Sequence, residues 1–144
     1  MTNKFMLALI WVVFAAGLLI QPNVSAYHSY ELTVKQLKAG LDKSSSSQSK
    51  GFFLIDVRSP GEHSSGVIPG TDMNIEFREI GDRHREIGAK LDDHIVVYCQ
   101  SGKRSNIAAE TLASLGYKYV YNVRGSINAW TEAGYPIVPA KDKG

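Results

Sequence analysis

The sequence predicts a single α/β domain with a mostly parallel central sheet flanked by helices on both faces. Three segments, at 52–57, 94–98 and 119–123, are rich in apolar residues with little alternation. Runs of this kind are typical of strands that are covered on both faces in a parallel sheet. Segments with apolar residues at helical spacing lie between them, and this alternation of strands and helices indicates an α/β domain.

The composition is that of an ordinary globular protein. The chain has 144 residues, a formal net charge of +2 and 44% hydrophobic residues. This balance excludes a disordered tail, and it lacks the strong basic field of a nucleic-acid binder. One domain is the natural expectation for a chain of this length.

The first 26 residues have the pattern of a secretory signal peptide. Lys4 supplies a positive charge, 5–20 is almost wholly apolar, and Val24-Ser25-Ala26 is a small-residue site suited to signal peptidase. We therefore predict cleavage after this site and an exported protein without stable membrane insertion, periplasmic in a Gram-negative source and secreted otherwise. The alternative is an uncleaved membrane anchor, for which the apolar run is short, since a spanning helix needs roughly 20 residues. The domain is predicted over 27–144, with its core at about 33–138.

The N-terminal half of the domain contains one clear helix start. Thr33 followed by Gln36 fits a capping box, and apolar residues then recur at helical spacing as far as about Lys43. The next elements are a Ser-rich connecting loop at 44–50, a strand at 52–57 that ends before Pro60-Gly61, a helical turn at 62–66 and a short strand at 73–75.

The C-terminal half begins with a long stretch of helical periodicity. Apolar residues at spacings of three and four predict a helix from Phe77 to Leu91, although Gly81 and Gly88 weaken that pattern. The remaining elements are a strand at 94–98, a helix that ends at Gly116, a strand at 119–123, a helix at 127–133 and an edge contact at 137–138. Trp130, in the last helix, is expected to pack in the core.

The only cysteine of the chain, Cys99, lies where the strand at 94–98 enters a short polar loop that opens a helix. The N–H groups of that loop and the positive end of the helix favour a thiolate, as do Lys103 and Arg104. Gly102 permits a tight conformation with positive φ. In an oxidising compartment a lone cysteine has no intrachain disulfide partner. We therefore predict that Cys99 is a nucleophile in an anion-binding cradle.

Four short segments carry the most specific pattern in the chain. They are Leu54-Ile55-Asp56-Val57-Arg58-Ser59-Pro60, Gly66-Val67-Ile68-Pro69-Gly70, the run from Val96 to Ser105, and Gly125-Ser126-Ile127-Asn128-Ala129-Trp130. In this order they resemble the successive motifs of the rhodanese family, here as a small, single-domain, exported member. Val67 stands where the family often has His, and Ser126 stands where it often has Gly.

The resemblance implies a sulfurtransferase that needs no metal or organic cofactor. In that family a cysteine thiolate takes the outer sulfur of thiosulfate, releases sulfite and holds the sulfur as a persulfide. Cyanide or a thiol, which can belong to a protein, then accepts the sulfur. On matching positions Cys99 is the nucleophile, and Arg104 closes and orients the cradle. The implied substrate-binding residues are Gln100, Ser101, Gly102, Lys103, Arg104 and Ser105.

Two further residues are implied to shape and support the cysteine loop. Asp56 and Arg58 match the Asp-Val-Arg segment of the family. Arg58 and Cys99 both follow the carboxyl end of a predicted strand, which is where ligands bind in parallel α/β sheets. We therefore expect the two strand ends to meet at one site.

Two other functions share a reactive cysteine. A cysteine phosphatase also uses a thiolate in an anion cradle, but its signature loop is one residue longer than the four residues between Cys99 and Arg104. A sulfur carrier or redox-sensing interaction module, whose modified thiol is read by a partner, has the same cysteine and stays open as an alternative.

Several polar residues have simpler interpretations. For Arg104, contact with an anion is favoured over a salt bridge at the start of the helix. Glu62 and His63 lie in a polar turn and are expected to be solvated. The remaining histidines lack any spacing suited to a metal site, and they are His28, His84 and His94.

Overall fold

The computed structural model describes residues 28–47 and 49–141, which form a five-stranded sheet and the helices around it. Strands β1 to β5 span Tyr30–Leu32, Phe53–Asp56, Met73–Asn74, His94–Tyr98 and Tyr119–Val123. Helices α1 to α5 span Val34–Ser45, Pro60–Ser64, Ile80–Arg83, Lys103–Ser114 and Ser126–Glu132, and a 3₁₀ turn covers His84–Ile87. The signal peptide predicted over 1–26 lies outside the described residues. Among the helices of the described part, none is long and apolar enough to cross a membrane.

The sheet is parallel, as predicted, and its strand order is β1-β5-β4-β2-β3. Its central strands are buried on both faces because helices cover each side. One buried cluster joins the sheet to α3 and α4 and includes Ile55, Val97 and Leu112. The other joins it to α1 and α5 and includes Leu54 and Trp130. Alternate residues of β2 therefore enter opposite cores, which explains its continuous apolar run.

Local signals at the two ends of the domain are confirmed. The Thr33 hydroxyl accepts the N–H of Gln36, and the Gln36 side chain accepts the N–H of Thr33 in return, which completes the predicted capping box. Trp130 is fully buried, and its indole donates to the Pro136 carbonyl at 2.8 Å. The edge contact predicted at 137–138 is an antiparallel bridge between Val138 and Val67.

The long helix predicted from Phe77 to Leu91 is wrong. The N–H of Phe77 donates to the Val57 carbonyl at 3.0 Å, so this residue extends the sheet edge instead of opening a helix. Helix α3 begins only at Ile80 and gives way to the 3₁₀ turn, which Gly88 ends with a φ of 72°. Leu91 is 54% exposed and does not continue an apolar face. Two short pieces therefore produced the helical periodicity.

The beginning of the domain also differs from the prediction in two respects. Strand β1 was not predicted, and Tyr30–Leu32 pairs with β5 at the edge of the sheet. Helix α1 continues to Ser45, so the Ser-rich loop begins later than residue 44. The hydroxyls of Ser44 and Ser45 both donate to the Leu41 carbonyl, which accommodates these serines in the last turn.

The carboxyl ends of β2, β4 and β5 lie side by side and hold the candidate site. Asp56 at the end of β2 pairs in register with Tyr98, which directly precedes Cys99. The N–H of Ile127 donates to the Cys99 carbonyl at 3.2 Å, so the start of α5 is tied to the cysteine loop. The fold therefore brings together the strand ends that were expected to meet.

Candidate active site

Cys99 lies at the centre of a tight loop that runs from the end of β4 into α4. The N–H of Gly102 donates to the Cys99 sulfur at 3.1 Å, and the hydroxyl of Ser105 donates to it at 3.3 Å. Gly102 has a φ of 98°, and a Cβ there would lie 3.2 Å from the backbone nitrogen of Gly125. Both the backbone conformation and the close packing therefore require glycine.

The hydrogen bonds of the loop shift the acidity of the cysteine. Burial alone raises the pKa of the Cys99 thiol, because a buried thiolate loses its contact with water. The Ser105 hydroxyl and the backbone N–H groups of Ser105, Gly102 and Ser101 oppose this effect. These donors prevail, so the pKa of Cys99 lies below its ordinary value. A thiolate is the nucleophilic form of cysteine, and the loop therefore activates it.

A buried polar network lies beneath the sulfur, and it includes Asn122, which the sequence did not predict as a site residue. The Ser105 hydroxyl lies 2.6 Å from Oδ1 of Asn122 and 3.3 Å from the hydroxyl of Ser126. The Ser126 hydroxyl accepts the N–H of Cys99 at 3.1 Å and donates to the Val123 carbonyl at 2.9 Å. Ser126, with a φ of 45°, therefore places a hydroxyl under the nucleophile where the family often has glycine.

Asp56 and Arg58 form a buried ion pair at the end of β2. The Arg58 guanidinium donates to both carboxylate oxygens of Asp56, with a shortest distance of 2.8 Å, and to the Gly66 carbonyl at 2.6 Å. It also lies over the Tyr98 ring, 6.0 Å from the ring centroid. Because Tyr98 directly precedes Cys99, the pair contacts the strand end that carries the nucleophile. Burial lowers the pKa of Arg58, but the contacts with Asp56 outweigh it and leave that pKa raised.

The expectation that Glu62 and His63 are merely solvated is wrong. Nδ1 of His63 lies 2.9 Å from the Asp56 carboxylate. The Glu62 carboxylate accepts from Nη1 and Nη2 of Arg104, each at 2.8 Å. The hydrogen bond from Arg104 lowers the pKa of Glu62 to about 2. Arg104 therefore forms a salt bridge, which was the less favoured interpretation. Its partner, Glu62, lies in α2 and not in α4, the helix whose first turn contains Arg104.

Arg104 also interacts with the nucleophile. Its contact with Glu62 is the main cause that raises the pKa of Arg104, and a smaller contribution comes from the charge of the Cys99 thiolate. Cys99 itself has no exposed surface. The guanidinium therefore pairs with the Glu62 carboxylate, and a charged Cys99 favours its positive charge further.

The other predicted loop residues have different surroundings. The Gln100 amide donates to Oδ1 of Asn128 at 2.6 Å, which anchors the loop to α5. Ser101 and Lys103 are exposed, and Ser101 contributes its backbone N–H to the cradle. The structure therefore brings the backbone of the loop and Ser105 to the sulfur. The Gln100 side chain instead makes a structural contact with α5.

The other histidines serve as aromatic partners. His84 contacts the Tyr117 hydroxyl at 2.8 Å, and His94 stacks on Tyr119 with ring centroids 4.7 Å apart. Within 28–47 and 49–141, no group of three or more His, Cys, Asp or Glu side chains could hold a metal ion.

Known proteins are similar to this chain in sequence and in fold. The sequence model of the Rhodanese-like domain matches residues 33–133. A sulfurtransferase of Allochromatium vinosum is 41% identical over 86 residues, which cover 60% of this chain and 78% of the relative. The thiosulfate:glutathione sulfurtransferase of Saccharomyces cerevisiae is 33% identical over 123 residues, covering 78% and 84%. The structure of a human single-domain sulfurtransferase has a TM-score of 0.61 at 29% identity, covering 72% and 96%.

Proposed function

This chain belongs to the rhodanese-like domain family, and on that premise we propose that it moves the outer sulfur of thiosulfate, or of a related donor, to a thiol or cyanide. The observation that carries the proposal is the convergence of the Gly102 N–H and the Ser105 hydroxyl on the sulfur of Cys99. These donors favour a thiolate and stabilise negative charge on any sulfur attached to it.

The proposed reaction has two displacement steps on sulfur. The Cys99 thiolate attacks the outer sulfur of thiosulfate, a new S–S bond forms, and the S–S bond of the donor breaks. Its electron pair leaves with sulfite, and Cys99 becomes a persulfide. An acceptor thiolate then attacks the terminal sulfur, forms its own persulfide and restores the Cys99 thiolate. The loop N–H groups stabilise the negative charge that Cys99 or its persulfide carries before and after each step.

The size of the cradle supports sulfur over a phosphoryl group as the cargo. Four residues separate Cys99 from Arg104, which is one fewer than in the phosphatase signature. The hydrogen-bond donors of this loop lie 3.1 and 3.3 Å from the cysteine sulfur itself. A single sulfur atom attached to Cys99 is a smaller group than a tetrahedral phosphoryl group. The short loop therefore favours transfer of sulfur.

The acceptor is proposed to be a low-molecular-weight thiol. The yeast relative is a thiosulfate:glutathione sulfurtransferase, and a thiol acceptor for this chain follows by similarity. Transfer to one particular protein only, without turnover on small thiols or cyanide, would instead identify a sulfur carrier or redox-sensing module.

We further propose that the protein acts outside the cytoplasm. The proposal rests on the signal-peptide pattern of residues 1–26 and its small-residue site at Val24-Ser25-Ala26. Expression of the full chain with fractionation and N-terminal sequencing tests it. An exported protein that begins at Tyr27 is the expected product, and a full-length cytoplasmic protein would contradict the proposal.

Two parallel assays test the proposed reaction. Thiosulfate with cyanide or a thiol should release sulfite, whereas an aryl phosphate should release little phosphate. Cys99→Ser should abolish sulfite release while the circular dichroism spectrum stays unchanged, because serine keeps the size of the side chain but not the nucleophile. Phosphate release without sulfite, or sulfite release by Cys99→Ser, would contradict the proposal.

A further inference from the structure

The Arg104 guanidinium is already paired with a carboxylate and is not free to bind an anion. Its two terminal nitrogens, Nη1 and Nη2, each donate to one oxygen of the Glu62 carboxylate at 2.8 Å. This paired geometry uses the same edge of the guanidinium that recognises an oxyanion through two parallel hydrogen bonds. An anionic substrate that binds Arg104 in this manner must first take the place of Glu62.

The Glu62 carboxylate is held independently of Arg104. One of its oxygens accepts the N–H of Ser59 at 3.1 Å and the hydroxyl of Ser59 at 2.9 Å. Together with the bond from the Glu62 N–H back to the Ser59 hydroxyl, these contacts form the capping box of α2. The carboxylate therefore stays beside the cysteine loop even when the guanidinium moves away.

The position of the ion pair connects it with access to the nucleophile. Arg104 lies in the first turn of α4 and directly precedes Ser105, whose hydroxyl donates to the Cys99 sulfur. Cys99 has no exposed surface in this arrangement, whereas the Arg104 and Glu62 side chains are 31% and 36% exposed. A reagent that reaches the cysteine loop from solvent therefore meets a paired guanidinium where an unpaired cation was expected.

We propose that Glu62 is a specificity-determining residue, which disfavours anionic reactants by occupying Arg104. The inference rests on the proposed role of Cys99 as the sulfur-bearing nucleophile. An anion must displace a fixed carboxylate and then remain close to its negative charge. A neutral reactant meets neither obstacle. Glu62 thereby sets how weakly the site binds anionic sulfur donors, thiosulfate among them, relative to neutral donors.

Two alkylating reagents of nearly equal size test this inference directly on Cys99. Iodoacetate is an anion and iodoacetamide is neutral, and both react with a thiolate. The measured quantity is the ratio of their two rate constants, in which changes of the thiolate fraction or of general accessibility cancel. The variant is Glu62→Gln in the full-length protein, because Gln also serves in a capping box while it removes the charge. The matched control is Glu110→Gln, which removes one exposed carboxylate from α4.

We expect the ratio for iodoacetate over iodoacetamide to rise about 1.5-fold to fivefold in Glu62→Gln, which is the effect of one partly exposed charge pair. It should stay unchanged in Glu110→Gln. A ratio that is unchanged or lower in Glu62→Gln would overturn the inference, since Glu62 would then only hold Arg104 in place for anions. Because alkylation needs no sulfur transfer, this result is separate from the sulfite assay. A higher ratio without sulfite release would contradict the proposed reaction and leave the role of Glu62 intact.

Discussion

The Ser105 side chain donates a hydrogen bond to the Cys99 sulfur. Its hydroxyl has a single proton, for which three acceptors compete. Its oxygen lies 2.6 Å from Oδ1 of Asn122, 3.3 Å from the Cys99 sulfur and 3.3 Å from the Ser126 oxygen. The Ser126 hydroxyl donates its own proton to the Val123 carbonyl. The acidity of Cys99 therefore depends on how the Ser105 proton is divided among these acceptors.

Ser105→Ala is predicted to raise the pKa of Cys99. The variant loses the hydroxyl that opposes the effect of burial on the thiolate. A hydrogen bond to a charged group contributes about 1.5–3 kcal/mol, so the alkylation rate at neutral pH should fall about tenfold or more. In the wild type the thiolate forms as pH rises through a lowered pKa, and in the variant the same rise should occur at higher pH.

Ser101→Ala is the control for this pH profile. Ser101 contributes its backbone N–H to the sulfur, while its side chain is exposed, so the alanine variant keeps the donor. Its alkylation profile should match that of the wild type. If Ser105→Ala also keeps the wild-type profile, the hydroxyl does not stabilise the thiolate.

At the scale of the elements, one ion pair joins α2 to the first turn of α4, the helix that follows the cysteine loop. Glu62 lies in α2 and Arg104 in the first turn of α4, at a sequence separation of 42 residues. Both side chains are about one-third exposed, so solvent screens the pair and its contribution to stability is modest. The pair nevertheless makes the stability of the domain depend on pH in the acid range.

Glu62→Gln is predicted to lower stability only where Glu62 is charged. The pKa of Glu62 is about 2 in the folded protein against an ordinary value of 4.5. The stability from this group is therefore fully present above pH 4.5 and is lost as pH falls toward 2. Urea denaturation of wild type and variant should differ by about 0.2–1 kcal/mol near neutral pH. The difference should disappear as pH falls through about 2, and a difference that does not change with pH would contradict the assignment.

The elements that sequence predicted well are those with signals inside one segment. The strands at 94–98 and 119–123, the Thr33 capping box and the glycine-dependent cysteine loop all depend on neighbouring residues. Strand β1 was missed because Tyr30–Leu32 is short and is defined by its pairing with β5. The partners Glu62 and Asn122 were missed for the same reason, since each reaches the site from another element.

At the scale of the molecule, the parallel sheet separates two cores and collects the functional groups at one end. Asp56 is the buried carboxylate that links several parts of this end. It binds Arg58 and His63, and Arg58 in turn binds the Gly66 carbonyl. Asp56 is fully buried and Arg58 is 4% exposed, so each charge depends on the other for its stabilisation.

Asp56→Asn is predicted to destabilise the whole domain. Loss of the carboxylate charge leaves the buried Arg58 guanidinium without its ionic partner, which costs about 3–5 kcal/mol. Urea denaturation should show a lower midpoint with an unchanged slope, because the same surface unfolds. Asp42→Asn, which breaks the exposed Lys38–Asp42 pair of α1, is the control and should cost less than about 0.5 kcal/mol. Equal losses in both variants would show that the Asp56 cluster adds little to stability.

The central claim is that Cys99 carries a transferable sulfur, and intact-mass spectrometry after exposure to thiosulfate tests it most directly. The wild-type protein should gain the mass of one sulfur atom and lose it again when a thiol acceptor is added. Cys99→Ser should keep its original mass throughout. A wild-type protein that stays unmodified, or a Cys99→Ser variant that takes up sulfur, would contradict the claim.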